Sequence, residues 1–256
     1  MKIILFLTTL LSIANLILNS TCPKIKKISG TTSSPGFCTR YWDCCKPSCA
    51  WNHNSRSCDL HQNLDVNPYL TSVCAGGNEG TSTTCLTQVP FTIDGCDEMG
   101  FAFVATPGNP GGNDNCGKCF EFTFTGEGYW KTTPQTQALK GKKLIVMTTN
   151  IGYDVREGQF DVMIPGGGVG LFNGCDHLFG SANMGAQYGG LLTECNDSKH
   201  AEDPVQCLKD ACEKAFSNVP LALEGCLWHA NFLEAADNPS MTYEEIECPD
   251  VLKEKY

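Results

Sequence analysis

Between residues 119 and 164 the chain alternates apolar and polar positions in short runs. From Cys119 to Thr125, Phe120, Phe122 and Phe124 interleave with Glu121, Thr123 and Thr125. That period of two predicts a strand with one buried face. Lys143 to Thr149 carries the continuous apolar run Leu144-Ile145-Val146-Met147, the pattern of a strand buried on both faces. Gln159 to Ile164 alternates Phe160, Val162 and Ile164 with Asp161 and Met163, and Met241 to Cys248 predicts a further strand. The best helix signal lies between Asp203 and Phe216, where Asp203 and Pro204 suit an N-cap and a first helical position. Glycine is frequent (26 residues), as sharp turns between strands require. Strand signals outnumber helix signals, so the expected class is mainly β: a β-barrel with long loops and a few short helices.

A different pattern opens the chain. Lys2 is followed by an almost wholly apolar run, Ile3 to Leu18, which ends at Asn19-Ser20-Thr21. This layout predicts a secretory signal peptide over residues 1–20, cleaved near Ser20. The competing reading, a transmembrane anchor, needs about 20 apolar residues, and the run is short of that. Residues 21–37 read as a short polar leader and residues 38–256 as one domain. No long Pro/Ser/Thr linker and no internal repeat marks a second module. The composition is 41% hydrophobic and only 18% charged, which is globular rather than disordered. A formal net charge of −10 repels phosphate backbones and anionic lipid, so nucleic acid and membranes are excluded as partners. A neutral polymer is indifferent to that charge.

The 17 cysteines all follow the apolar leader, from Cys22 to Cys248. In a secreted chain this density reads as a disulfide framework, and an odd number leaves at least one thiol outside it. The alternative is zinc. Cys116 and Cys119 have the C-x-x-C spacing, but no second pair or paired histidines complete a tetrahedral set. There is no His-Glu-x-x-His, no Gly-x-Ser-x-Gly, and no Lys-Ser/Thr after the glycine run. No metal or cofactor is expected.

Two segments hold the candidate chemistry. In Cys38-Thr39-Arg40-Tyr41-Trp42-Asp43-Cys44-Cys45-Lys46-Pro47-Ser48-Cys49-Ala50-Trp51, one carboxylate sits between aromatics and cysteines whose bridges would pin its backbone. In Gln159-Phe160-Asp161-Val162-Met163-Ile164-Pro165-Gly166-Gly167-Gly168-Val169-Gly170, a second carboxylate leaves the polar side of a strand. The glycines that follow remove bulk and let something approach the backbone. One acid, one base and aromatic rings suit cleavage of a glycosidic bond.

The first segment closely resembles the signature of glycoside hydrolase family 45 endoglucanases, and the second resembles that family's Phe-Asp-x-x-Ile-Pro-Gly-Gly-Gly-Val-Gly stretch. Asn173-Gly174-Cys175, Gln187-Tyr188-Gly189-Gly190, Glu194-Cys195 and Ala236-Asp237-Asn238-Pro239-Ser240 extend the likeness from about Thr39 to Cys248. The resemblance implies a six-stranded double-psi β-barrel, an open groove, and endo-hydrolysis of β-1,4-glucan (cellulose) with inversion. It implies Asp43 as general base, Asp161 as general acid, and Asp154 as a third, assisting acid in a turn. Thr39, Tyr41 and Trp51 match groove residues, with Tyr41 near the cleavage point and Trp51 stacking on a glucosyl ring. Inversion demands carboxyls roughly 6.5–9.5 Å apart, leaving room for water. Apolar Phe160, Val162 and Met163 would raise the pKa of Asp161, while Arg40 and Lys46, near Asp43 in sequence, would favour its ionised form. Gln159 stands where many members carry histidine.

The resemblance also implies bridges Cys44–Cys175, Cys45–Cys74, Cys49–Cys116, Cys58–Cys85, Cys119–Cys248 and Cys195–Cys226; Gly117 stands where another bridge's cysteine is usual. Cys22, Cys38, Cys96, Cys207 and Cys212 are left over. Cys38–Cys96 is one pairing, leaving Cys22 free. Cys207 and Cys212 either bridge locally, with the helix starting after Cys207, or face apart on it. The expectation is a secreted, extracellular, monomeric hydrolase of β-1,4-glucan. Xyloglucan or mixed-linkage glucan as substrate is the nearest alternative. A non-hydrolytic, expansin-like glucan-binding protein is the rival from another class; such proteins lack the first aspartate, which Asp43 supplies here.

Overall fold

The computed structural model describes residues 22–256 apart from 53–54, 65–66, 68, 76–79, 109–114, 181 and 197–201. The segment read as a signal peptide, residues 1–20, lies outside the described residues. Seven strands form one sheet: β1 (Ser34–Tyr41), β2 (Phe91–Thr92), β3 (Met99–Pro107), β4 (Cys119–Gly128), β5 (Lys143–Gly152), β6 (Gln159–Met163) and β7 (Pro239–Ile246). Their order is β2-β3-β5-β4-β7-β1-β6, and β6 pairs back onto β3. Six strands therefore close a ring, with β2 as a short addition on β3. The pairs β1–β6 and β3–β5 are parallel, and the others in the ring are antiparallel. This closed, mixed ring with short helices agrees with the expected six-stranded double-psi barrel.

Alternation explains how the ring fills. Cys38, Ala102, Val104, Phe120, Phe122, Phe124, Leu144, Val146, Phe160, Val162 and Met241 belong to one buried cluster to which all six strands contribute. Fully burying a Phe or Leu there is worth about 2–3 kcal/mol. The intervening positions Phe101, Phe103, Ile145, Met147 and Met163 join a second cluster with Leu191, Leu208, Phe216 and Ala222. The latter come from the helices Gly190–Cys195, Pro204–Phe216 and Pro220–Asn231. β3 and β5 are thus buried on both faces. The helix over Pro204–Phe216 begins where expected, with the Asp203 carboxylate accepting the Gln206 N–H at 2.9 Å.

Eight disulfides take sixteen of the cysteines. Cys44–Cys175, Cys45–Cys74, Cys49–Cys116, Cys58–Cys85 and Cys119–Cys248 are as the resemblance implies. Cys195–Cys226 is corrected: Cys195 bonds Cys207 and Cys226 bonds Cys212. Helix Pro204–Phe216 includes both Cys207 and Cys212, so the helix does not start after Cys207. Their spacing of five turns them toward different neighbouring helices, one to each. Cys38–Cys96 is also corrected. Cys22 bonds Cys96, and Cys38 is the buried free thiol. Cys38 points into the barrel cluster, where no second cysteine reaches it. The Cys22 bridge and the Lys27–Ile246 bridge pairing tie the N-terminal segment to the barrel, and β1 begins inside it, at Ser34.

Candidate active site

β1 and β6 run parallel with Thr39 opposite Asp161 and Tyr41 opposite Met163. On β1, Phe37, Thr39 and Tyr41 share the face away from Cys38. On β6, Asp161 sits between buried Phe160 and Val162 and turns away from the barrel interior. Below them the glycine runs let backbone meet backbone. Trp42 N–H donates to Gly168 O at 2.7 Å, Leu191 N–H to Gly166 O at 2.9 Å, and Gly170 N–H to Gln187 O at 2.8 Å. Gly168 and Gly190 both have positive φ, and a Cβ on Gly190 would collide with Gly166 O. What approaches the Pro-Gly-Gly-Gly backbone is therefore the Gly189-Gly190 turn.

The result is a trough of about 320 Å³ lined by Thr39, Arg40, Tyr41, Asp154, Gln159, Asp161, Gln187, Tyr188, Asp237 and Asn238, among others. Of the sequence-predicted residues, Asp161, Asp154, Thr39 and Tyr41 share this lining. Asp43 and Trp51 lie outside it. Asp43 follows two residues after Tyr41, and its charge reaches both Tyr41 and Asp161. A larger cleft, about 650 Å³, is lined by Phe91, Lys142, Trp228 and Lys255 and holds none of the three aspartates.

Asp43 is held firmly. Its Oδ1 accepts the Cys45 N–H at 2.9 Å and its carbonyl accepts the Gly174 N–H at 2.8 Å. The next two residues are each in a bridge, as the spacing suggested. Cys44 itself has φ +59, a left-handed conformation unusual outside glycine. Burial pushes the Asp43 carboxyl up to about 6, against the Cys45 N–H, which pulls it down, and with help from the Asp154 charge.

Asp161 is pushed higher, to about 7, again chiefly by burial. A hydrogen bond from the Thr39 side chain and the Arg40 charge lower it; the charges of Asp154 and Asp43 raise it. Its Oδ1 is shut off from solvent and has no hydrogen-bond partner among the described residues. The Thr39 hydroxyl is oriented by Gln159. Gln159 Oε1 accepts the Arg156 N–H at 3.2 Å, so its Nε2 donates to Thr39 Oγ1 at 2.9 Å. The Thr39 proton is thereby left for Asp161.

Other residues emerge only in three dimensions. Arg40 donates to Asp237 Oδ1 at 2.6 Å and to Gly189 O at 2.9 Å, bracing β1 against the loop before β7 and the Gly189-Gly190 turn. Its charge acts on Asp161, not on Asp43 as sequence proximity implied. The Lys46 ammonium donates to Leu70 O and lies 4.2 Å over the Trp51 ring, and the side-chain charge that acts on Asp43 is that of Asp154. Asn150 takes the Ser48 N–H on Oδ1 and donates to the Tyr41 hydroxyl at 3.1 Å. No sequence signal marked Asn150, because its strand reads as continuous core.

The family profile described as "Glycosyl hydrolase family 45" matches residues 35–255. Endoglucanase B of Cellvibrio japonicus is 38% identical over 230 residues, covering 84% of this chain and 43% of that protein. An endoglucanase of the springtail Cryptopygus antarcticus is 35% identical, covering all of this chain and 96% of the relative. The chain thus spans under half of the bacterial relative and nearly all of the springtail one. The crystal structure of a cellulase from that Antarctic springtail superposes with a TM-score of 0.67 over 88% of this chain and 96% of its own. Among the described residues no helix is long and apolar enough to cross a membrane.

Proposed function

The chain belongs to glycosyl hydrolase family 45, and from that premise we propose that it is a secreted endo-β-1,4-glucanase, a cellulase, acting by inversion. Residues 38–256 carry the activity, and residues 1–20 direct export. The observation that carries this reading is geometric: Asp161 leaves β6 into a trough that Asp154, Thr39 and Tyr41 also line, and Asp43 is pinned two residues beyond Tyr41, with its charge acting on Asp161. Burial raises both carboxyls, Asp43 to about 6 and Asp161 to about 7. A raised pKa suits Asp161 to bring a proton to the leaving oxygen, and the Cys45 N–H favours the ionised form of Asp43, as a base requires.

In one step, Asp161 gives its proton to the glycosidic oxygen as the bond from that oxygen to the anomeric carbon breaks. Asp43 takes a proton from a water whose oxygen bonds the anomeric carbon from the opposite face. One water is consumed, no covalent sugar–enzyme bond forms, and both carboxyls then reset by exchange with solvent. Asp154 supplies negative potential that holds the proton on Asp161. Thr39 orients that carboxyl, Tyr41 meets the sugar near the scissile bond, and Trp51 stacks on a glucosyl ring farther along. Eight bridges suit an oxidising, extracellular setting.

The test is hydrolysis of carboxymethyl-cellulose, xyloglucan and mannan, with NMR of the first-formed anomer. Inversion with activity on the cellulose derivative is expected. Asp161→Asn and Asp43→Ala each remove reducing-sugar release while preserving the fold. A retained anomer, or full activity in either variant, defeats the reading.

A further inference from the structure

The loop leaving β4 carries two aromatics in water. Tyr129 is 44% exposed and Trp130 74% exposed. A single exposed ring needs no explanation, but adjoining rings held on a fixed scaffold make a contact surface, and this pair is fixed. The Tyr129 ring stacks on Phe37 at 3.7 Å with an interplanar angle of 12°, and Trp130 packs edge-on against Tyr129 at 4.7 Å. The loop backbone is held too. Gly128 pairs with Pro239, and Tyr129 N–H donates to Asn238 O at 2.9 Å.

Two connections lead from this pair to the trough. Asn238, which receives the Tyr129 N–H, lines the trough with Asp237. Phe37, which the Tyr129 ring covers, lies on the same face of β1 as Thr39, two residues or about 7 Å before it. The row Tyr41, Thr39, Phe37 thus runs from the trough past the acid and ends under Tyr129, with Trp130 beyond.

We propose that Tyr129 and Trp130 form an aromatic platform that continues the groove past Asn238 and binds a further glucosyl unit of a long β-glucan chain by stacking on Trp130. This rests on the β-glucanase reading. The C–H face of a pyranose is apolar and fits an aromatic face, and the edge-on contact with Tyr129 fixes the indole plane before substrate arrives. A neutral sugar needs no counter-charge, which agrees with a ring pair as the recognition element.

Two measurements test it. First, kcat/KM is measured on cello-oligosaccharides from trimer to hexamer for the unaltered protein, Trp130→Ala and Trp130→Phe. The gain in kcat/KM on lengthening the chain should shrink by about three- to tenfold in Trp130→Ala and recover largely in Trp130→Phe. The same length dependence in all three overturns the platform. Second, the indole N–H signals of Asp161→Asn are followed by NMR during titration with cellohexaose. The Trp130 signal, assigned by its loss in Asp161→Asn/Trp130→Ala, should shift on binding. A Trp130 signal that stays in place while others move overturns the proposal even where hydrolysis is intact. Absence of any β-glucan cleavage by the unaltered protein defeats the functional reading instead, and the titration still decides Trp130.

Discussion

Asp154 is exposed on the trough, yet its negative charge raises the pKa of both Asp43 and Asp161. Under the proposed mechanism kcat/KM falls on the acid side as Asp43 protonates near 6 and on the alkaline side as Asp161 ionises near 7. Removing the Asp154 charge makes both carboxylates easier to form, so both pKa values drop. Asp154→Asn should therefore move both limbs of the pH profile toward acid; an alkaline shift of either limb contradicts the coupling. Gln159 makes a different prediction. Gln159→Leu frees the Thr39 hydroxyl to turn from Asp161, which loses an interaction that lowers its pKa. The alkaline limb should rise while the acid limb stays, because Thr39 does not act on Asp43. A parallel shift of both limbs rules out the Gln159–Thr39–Asp161 chain. Both aspartates were legible because each sits in a long, specific run of residues. The charges around them were not. Arg40 is three residues from Asp43 in sequence, but its guanidinium goes to Asp237, 197 residues away.

At the scale of elements, the glycine-rich turns make the trough possible by letting the Pro165–Gly168 backbone meet Gly189 and Gly190. Gly190 has φ +61 and no room for a Cβ, whereas Gly141 has φ +87 and nothing within 4 Å. Gly141→Ala pays only for conformation, about 1 kcal/mol. Gly190→Ala adds a backbone collision, and about 3 kcal/mol is expected, or a fall in Tm of roughly 6–12 °C. Equal Tm losses in the two variants would mean the close approach does not matter. The sequence pattern announced β4 and β6 by alternation, β5 by an unbroken apolar run, and β7, Pro239–Ile246, as the further strand read over Met241–Cys248. It missed β1 and β3 for separate physical reasons. β1 begins Ser34-Pro35-Gly36, which reads as a turn; Pro35 is exposed there, in a part of the strand that pairs β7. β3 is buried along nearly its whole length, so Gly100, Ala102 and Ala105 sit among large side chains and no alternation shows. Helix Pro220–Asn231 escaped notice in the same way, being buried on several sides and lacking a polar stripe.

For the whole molecule, the bridges divide by span and place. Cys44–Cys175 and Cys119–Cys248 close loops of 131 and 129 residues across the barrel. Cys195–Cys207 and Cys212–Cys226 close 12 and 14 residues and staple the helices Gly190–Cys195, Pro204–Phe216 and Pro220–Asn231 to one another. These two short bridges were the ones sequence likeness misassigned. Cys207 and Cys212 arrive on one helix between Cys195 and Cys226, and each takes the nearer partner, so a single long link becomes two short ones. The chain-entropy account then ranks them. Losing a loop near 130 residues costs about 5 kcal/mol, and losing one near 12 costs about 3 kcal/mol. Position adds a second difference. Cys44 adjoins Asp43 and holds a left-handed turn, whereas Cys195 and Cys207 touch neither the trough nor its carboxyls. Under the proposed mechanism Cys44→Ala/Cys175→Ala should therefore lose the larger share of its urea stability and also lose kcat, as Asp43 drifts from its position. Cys195→Ala/Cys207→Ala should lose the smaller share and keep its turnover rate. If the two variants lose turnover alike at a temperature where both remain folded, the Cys44 bridge does not hold Asp43 in place, and the Cys45 N–H and Gly174 N–H contacts alone suffice to fix it.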